Sequence, residues 1–234
     1  MGHQEAVMEK INLVYDPELD KSVLEMNFIE EVKIQGTDVN VAMRLPTYWC
    51  SPNFAFIMAE DIRDRVMEIP WVKKVIINLK DHSASEEINK GVTEGKSFKE
   101  VFTHLASNDL KEVRKKFQIK SFISRQEKLL RSLINYGMEK NMLNLTVKEL
   151  NAHPAITDRS VLNRYLILRN ELGFSNDPYD QAFIKPTGES IDPKEFSDYL
   201  LEARRTRMSM EFNSTYCRGL LDARYQTVLA KKGE

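Results

Sequence analysis

The spacing of hydrophobic residues in the first eighty positions switches between helical and extended periods. The predicted elements are, in order, a helix at 4–15, strands at 28–34 and 39–45, a helix at 53–68 and a strand at 71–79. Asp16-Pro17 ends the first helix because proline lacks a backbone donor. Gly36 lies between the first two strands, as expected for a hairpin. This order predicts a small α-β-β-α-β domain of the α+β class.

The pattern after Lys80 is mainly helical. Helices are expected from about residue 86, over 97–106 and 109–136, after the capping box Thr146-x-x-Glu149, over 158–172, and from Asp192 to about residue 230. A small hairpin, 182–185 with 189–191, interrupts them. We therefore predict two domains, an α+β domain at 1–85 and a mainly helical extension at 86–234 that binds a partner protein.

Composition is that of an ordinary globular protein, with 42% hydrophobic and 29% charged residues. The formal net charge is −1, so no global field draws the chain to nucleic acid or to anionic lipid. Basic residues do cluster at 111–131 and 204–207, but Glu112 and Glu127 interrupt the first cluster and Glu202 lies just before the second. We interpret them as a solvated face or a surface for an acidic protein partner, and predict no nucleic-acid binding.

The N-terminal residues contain early acids and no long apolar run, which is unlike a signal peptide. No stretch approaches the roughly 20 apolar residues that a membrane helix requires. We therefore expect a cytoplasmic protein without a membrane partner. The chain has two cysteines, Cys50 and Cys217, too few for a disulfide framework or a four-cysteine zinc site. A disulfide between them is an alternative.

Cys50 is the first candidate for chemistry. It follows a predicted strand, lies in a loop bounded by Pro46 and Pro52, and precedes a predicted helix. The positive end of a helix favours thiolate, which is the form that binds iron, zinc or a cluster. The alternative is a small buried hydrophobic residue, the usual role of a lone cysteine.

Three sequence segments together resemble a known family. They are Asp16-Pro17-Glu18-Leu19, then Ser22-Val23-x-x-Met26-x-Phe28-Ile29, then Val39-x-Val41-x-Met43-x-Leu45-Pro46-Thr47-x-x-Cys50-x-Pro52. This combination resembles the metal–sulfur cluster assembly family, which includes SufT- and PaaD-like proteins, over roughly residues 5–80. The resemblance implies that Cys50 is the reactive cysteine and that Asp16, Glu18 and Thr47 lie at the same site.

Two details depart from the family pattern. Many members have a small residue before the cysteine, where this chain has Trp49, and their threonine lies further upstream than Thr47. A large aromatic side chain beside the thiol can shield it from solvent.

Four other residues have alternative interpretations. Asp16 and Glu18 are possible metal ligands, but aspartate before proline more often caps its own turn. His82, beside Asp81, is a possible second ligand, with a surface turn histidine as the simpler interpretation. Cys217 in the last helix is a possible second ligand, although neighbouring leucines favour a packed position.

These features predict a maturation factor rather than an enzyme. Cys50 would hold iron or an iron–sulfur cluster transiently and pass it to a recipient, together with other assembly proteins. The helical extension, which ends in Cys217-Arg-Gly-Leu-Leu, resembles a subgroup associated with soluble di-iron monooxygenases of the propane and alkene type. The alternative is a chaperone or scaffold for such an oxygenase that binds no metal. A homodimer could supply two Cys50 thiolates to one cluster.

Overall fold

The computed structural model describes residues 2–103, 110–138 and 141–231, with side chains described as far as residue 225. The helices are α1 (His3–Asn12), α2 (Pro52–Met67), α3 (Ser85–Thr93), α4 (Phe98–Val101), α5 (Leu110–Asn135), α6 (Val147–Ala152), α7 (Arg159–Glu171) and α8 (Phe196–Lys231), with a 3-10 turn at Met142–Asn144. The strands are β1 (Tyr15–Asp16), β2 (Lys21–Ser22), β3 (Ile29–Gln35), β4 (Asp38–Arg44) and β5 (Lys74–Lys80).

A three-stranded sheet in the order β3-β4-β5 organises the N-terminal region. β3 and β4 form an antiparallel hairpin, whose turn contains Gly36 at a φ of 62°, a conformation that favours glycine. β4 and β5 are parallel, with Val41 opposite Ile77. A parallel neighbour requires a crossover connection, which α2 supplies. The carboxyl ends of β4 and β5 therefore lie side by side, and so do the loops that follow them.

The core of this region lies between the sheet and its helices. Alternate residues of β4 and β5 are fully buried, as the two-residue period of a strand requires. They meet the apolar face of α2 and two side chains of α3, Ile88 and Val92. Leu221 of α8 belongs to the same core. Helix α3 therefore shares one core with β3–β5 and α2, although the sequence prediction assigned it to the helical extension.

The chain divides into two compact units, residues 1–113 with 211–234 and residues 114–210. The domain boundary predicted after residue 85 lies at the first residue of α3, inside the first unit. The physical reason is the burial of Ile88 and Val92, which need the sheet and α2 to leave water. The second half of α8 also belongs to the first unit, although it is distant in sequence.

The second unit has a separate helical core. Phe122 of α5 stacks on the buried Tyr165 of α7 at 5.1 Å between ring centroids. Arg169 is buried, and each of its three guanidinium nitrogens donates a hydrogen bond, to the Asn176 side chain and to the Ser175 and Ala182 carbonyls. Through these bonds it ties α7 to the segment that follows, which is how a buried guanidinium is tolerated.

The basic clusters at 111–131 and 204–207 do not lie entirely on a solvated face, which was one of the two interpretations drawn from the sequence. Arg207 Nε donates to Glu127 Oε2 at 2.6 Å, and both side chains are buried. Arg125 is also buried. Counting charges on a helix cannot reveal such pairs, because the partner glutamate lies eighty residues away.

The predicted fold class is confirmed: an N-terminal α-β-β-α-β region precedes a mainly helical one. The small hairpin is present as a bridge between Ile184 and Ser190. The Thr146–Glu149 capping box is present too. Of the helix predicted over 97–106, positions 104–106 lie outside the described residues, as does position 109 of the next. Helix α8 runs without a break through Asn213 and Gly219.

Among the described residues, no helix is both long enough and apolar enough to cross a bilayer.

Ile88→Ala should destabilise the full-length protein by about 2–4 kcal/mol, because it opens a cavity in the core of the first unit. Lys90→Ala on the same helix is exposed and should change the unfolding free energy by less than about 0.5 kcal/mol. Chemical denaturation followed by circular dichroism measures both. Equal, small effects would show that α3 is not part of this core.

Candidate metal-binding site

The loop between β4 and α2, residues 45–51, carries Cys50 at the carboxyl edge of the sheet. Pro52 occupies the first helical position of α2, where its missing N–H costs nothing. Cys50 lies two residues before that position. The predicted location, between a strand end and a helix start, is therefore what the structure shows.

Thr47 folds back onto the thiol. Its Oγ1 lies 3.4 Å from Cys50 Sγ, and the backbone N–H of Trp49 donates to the same oxygen at 3.3 Å. Either the hydroxyl or the thiol can be the donor in the contact between Thr47 and Cys50. Thr47 is therefore a hydrogen-bond partner of the Cys50 sulfur.

His82 anchors the Cys50 peptide to the neighbouring loop. Its Nδ1 accepts from the backbone N–H of Ala84 at 3.1 Å, so Nε2 carries the proton and donates to the Cys50 carbonyl at 2.7 Å. The ring is only 2% exposed, and burial lowers the pKa of His82, against the opposing effect of that hydrogen bond. Both ring nitrogens are thus engaged. The histidine expected in a surface turn, or as a second metal ligand, is a buried structural support in this arrangement.

Three further hydrogen bonds hold together the loops that follow β4 and β5. The N–H of Ser83 donates to the Tyr48 carbonyl at 2.9 Å. Arg224 of α8 donates to the Leu45 carbonyl at 3.1 Å and to the Asp81 carbonyl at 2.7 Å. Both loops are therefore held at their first residue by one guanidinium, and again near Cys50 by Ser83 and His82.

Asp16 forms the turn that its position before proline predicts. Its Oδ1 accepts from the N–H groups of Glu18 and Leu19 at 2.8 and 3.0 Å. Burial raises the pKa of Asp16 to about 7, although these two bonds act in the opposite direction. Because protonation favours the folded state, the stability from this group is complete at acidic pH and is lost as the pH rises through 7.

A cavity of about 110 Å³ is lined by four of the predicted site residues, Asp16, Glu18, Cys50 and Cys217, but not by Thr47 or His82. Its polar lining consists of Asp16, Glu18, Ser51, Cys50 and Cys217, and its apolar lining of Leu19, Phe28, Leu45, Pro46, Phe54 and Met58. The volume exceeds what one water molecule needs. Mostly apolar walls strengthen electrostatic interactions inside and limit access of water.

Cys217 reaches this cavity from α8. It is half-buried, and burial raises its pKa to about 11, with the nearby charges of Asp16, Cys50 and Glu18 adding to the effect. This raised pKa agrees with the desolvation expected from the neighbouring leucines. Its location in the same cavity as Cys50 could not be read from the sequence.

Trp49 does not cover the thiol. Its side chain is 78% exposed and packs edge-on against Tyr48, which is itself 46% exposed. The two rings form an exposed aromatic pair directly beside Cys50. Large exposed aromatic side chains are enriched at protein–protein contacts.

The ligand supply of this site is limited. Among the described residues, no group of three or more histidine, cysteine, aspartate or glutamate side chains is placed to hold a metal ion. The cavity brings together Cys50, Cys217, Asp16 and Glu18 without forming a closed coordination sphere. Thr47 supports the sulfur of Cys50, and His82 supports its peptide.

Sequence reasoning missed Arg224 and the structural role of His82. Neither could be found from spacing, because their partners are backbone carbonyls of distant loops. Nothing in the local sequence around Arg224 indicates that it would bond the two loops. His82 did have a weak signal, since it lies two residues after β5.

Residues 4–78 match the family of iron–sulfur cluster assembly proteins. This segment runs from α1 to β5 and contains Asp16, Glu18, Thr47 and Cys50. It excludes His82 and all of α3–α8. The match supports the resemblance seen in the Asp16-Pro17-Glu18 turn and the Pro46–Pro52 loop. The monooxygenase-associated subgroup has no such support.

An iron–sulfur cluster carrier protein of Synechocystis sp. is 39% identical over 75 residues. The aligned segment covers 32% of this chain and 21% of that relative, so the chain spans about a fifth of the curated protein it matches. No solved structure matches the chain. The similarity therefore concerns the α-β-β-α-β region alone.

The two thiols should differ in their alkylation by iodoacetamide. With a pKa of about 11, Cys217 is thiolate in only about one molecule in a thousand at pH 8. In Cys50→Ser its alkylation should be slower than that of glutathione and should rise roughly tenfold per pH unit from 8 to 10. In Cys217→Ser, Cys50 should react faster at pH 8 than Cys217 does in Cys50→Ser, because burial raises the pKa of Cys217.

Mass spectrometry of quenched samples gives both rates. A Cys217 rate at pH 8 that equals that of Cys50 would contradict the burial assigned to Cys217.

Proposed function

We propose that this protein is an iron–sulfur cluster or iron carrier that holds its cargo at Cys50 and transfers it to a recipient protein. The observation that carries this proposal is the position of Cys50: within the matched segment, at a mostly apolar cavity, with the Thr47 hydroxyl 3.4 Å from its sulfur. The carrier named in the comparison supports the same role for the α-β-β-α-β region. The reaction is ligand exchange, so the protein acts as an assembly factor and not as an enzyme.

The proposed cargo needs thiolate sulfur and tolerates an incomplete set of protein ligands. Iron and its clusters bind thiolate strongly, and four ligands are usual for a cluster. The described residues offer no complete set, so the remaining positions would come from a recipient, another assembly protein or a second copy of this chain. Open positions suit transfer, because a recipient ligand can attach before Cys50 leaves.

Cys50→Ser should abolish cargo binding. Full-length protein reconstituted anaerobically with iron and sulfide should contain iron, and the variant should contain almost none, since a neutral hydroxyl is a poor ligand for iron. Ser51→Ala is the matched control, because Ser51 lines the same cavity but makes no capping bond. Iron and acid-labile sulfide per chain are measured after gel filtration.

Full iron content in Cys50→Ser, with unchanged maturation of a recipient, would favour the alternative of a chaperone or scaffold that binds no metal through this cysteine.

The recipient we propose is a subunit of a soluble di-iron monooxygenase, selected by the mainly helical region that follows the matched segment. The support is the resemblance of the C-terminal sequence, together with the exposed Tyr48–Trp49 pair beside the thiol. A recipient must approach Cys50 closely, and these rings are the apolar surface it would meet. Exposed aromatic anchors often carry much of the binding energy at such contacts.

Co-expression of a di-iron hydroxylase with this protein should raise the yield of soluble, iron-loaded hydroxylase. Trp49→Ala should reduce that gain while leaving the iron content of the carrier unchanged. Leu13→Ala is the control, an exposed apolar side chain of the same unit that does not line the cavity. Equal hydroxylase loading with and without the carrier would contradict this recipient.

A further inference from the structure

We propose that Cys217 is the second sulfur ligand of the Cys50 site, so that one chain holds its metal cargo between two thiolates. The inference rests on the proposed carrier function and extends it. Cys217 belongs to α8, far outside the matched residues 4–78. The site of this protein would then be completed by a helix that the matched family segment does not contain.

The first observation is shared location. Cys50 and Cys217 line the same cavity, together with the carboxylates of Asp16 and Glu18. A cysteine that serves packing alone is typically surrounded by apolar atoms. Cys217 is half-buried and packs against the core of the first unit, but it also lines a cavity that contains the Cys50 thiol and two carboxylates.

The second observation is that α8 is held in place on both sides of Cys217. Before it, the Ser214 hydroxyl lies 3.5 Å from Met26 Sδ. After it, Arg218 donates to the Glu25 carbonyl at 3.2 Å, Leu221 is buried, and Arg224 bonds the first residues of both loops at the site. These contacts involve no sulfur of either cysteine. The position of Cys217 is therefore fixed by the fold and does not depend on a bound cargo.

The third observation concerns the number of ligands. The described residues contain no group of three or more donors placed for a metal ion. Two sulfurs from one chain bind more tightly than one, because the second thiol is already confined near the first. Two sulfurs also leave coordination positions open. When a divalent cation binds, each thiol releases its proton to solvent and each sulfur forms one bond to the metal.

Cobalt(II) reports directly on sulfur ligands through its sulfur-to-cobalt charge-transfer band. Full-length protein is titrated anaerobically with cobalt(II) chloride, and the band is measured per bound metal. Cys217→Ser should halve the band approximately and weaken cobalt binding on the order of tenfold or more. Cys217→Ala tests whether the change follows loss of the sulfur or the new hydroxyl. Thr215→Ser, at an exposed position of the same helix that does not line the cavity, should leave both quantities unchanged.

A second measurement uses the unaltered protein and needs no variant to fold. Phenylarsine oxide reacts with two thiols that can reach one arsenic atom: two As–S bonds form, and the oxygen leaves as water with the two thiol protons. One stable adduct per chain, with both thiols lost, is expected by native mass spectrometry and thiol counting. Cys217→Ser should form no stable adduct.

The outcomes separate this inference from the carrier function itself. A full cobalt band in Cys217→Ser, lost in Cys50→Ser, would overturn the role of Cys217 and leave the carrier function standing. No cobalt band in the unaltered protein, and no iron after reconstitution, would overturn both. Two free thiols that persist in excess phenylarsine oxide would show that the sulfurs cannot share one atom, which also overturns the pair.

Discussion

The parallel pairing of β4 with β5 is the constraint on which the candidate site depends. It places the carboxyl ends of both strands at one edge, so the loop with Cys50 and the loop with His82 become neighbours. Each loop then satisfies backbone groups of the other: His82 binds the Cys50 carbonyl, and Ser83 binds the Tyr48 carbonyl. Buried backbone groups must find partners, so this cross-bonding holds the Cys50 loop in a defined conformation.

Helix α8 adds a second constraint from a distant part of the sequence. Its residues after position 210 belong to the first compact unit, and Arg224 bonds the start of both loops. The guanidinium also lies over the Tyr225 ring, as does Arg44 from the end of β4. The matched α-β-β-α-β segment is thus not the whole of the site in this protein. The same helix carries the thiol that we propose as the second ligand.

The chemistry of the cavity suits temporary rather than permanent binding. Two sulfurs and two carboxylates line an apolar pocket, yet the described residues form no closed set of three or more metal ligands. A structural metal site is closed, whereas a carrier needs positions that a recipient can occupy. The exposed Tyr48–Trp49 pair precedes Cys50 in the sequence and does not line the cavity. In the function that we propose, the polar groups of the cavity hold the cargo and the aromatic pair contacts the recipient.

The sequence by itself determined the local features of this protein. Periodicity predicted α1, the β3–β4 hairpin, α2 and β5 to within a few residues, because side-chain period and turn chemistry are local properties. The Asp16 turn and the loop around Cys50, with Thr47 and Trp49, were also readable for that reason. Only the tertiary structure decided the rest. It places α3 and the end of α8 in the same unit as the sheet, and it pairs the buried Arg207 with the buried Glu127. It also brings Cys217 to the cavity that Cys50 lines. Each of these joins residues far apart in the chain, and no short-range pattern specifies which distant surfaces meet when apolar area is buried.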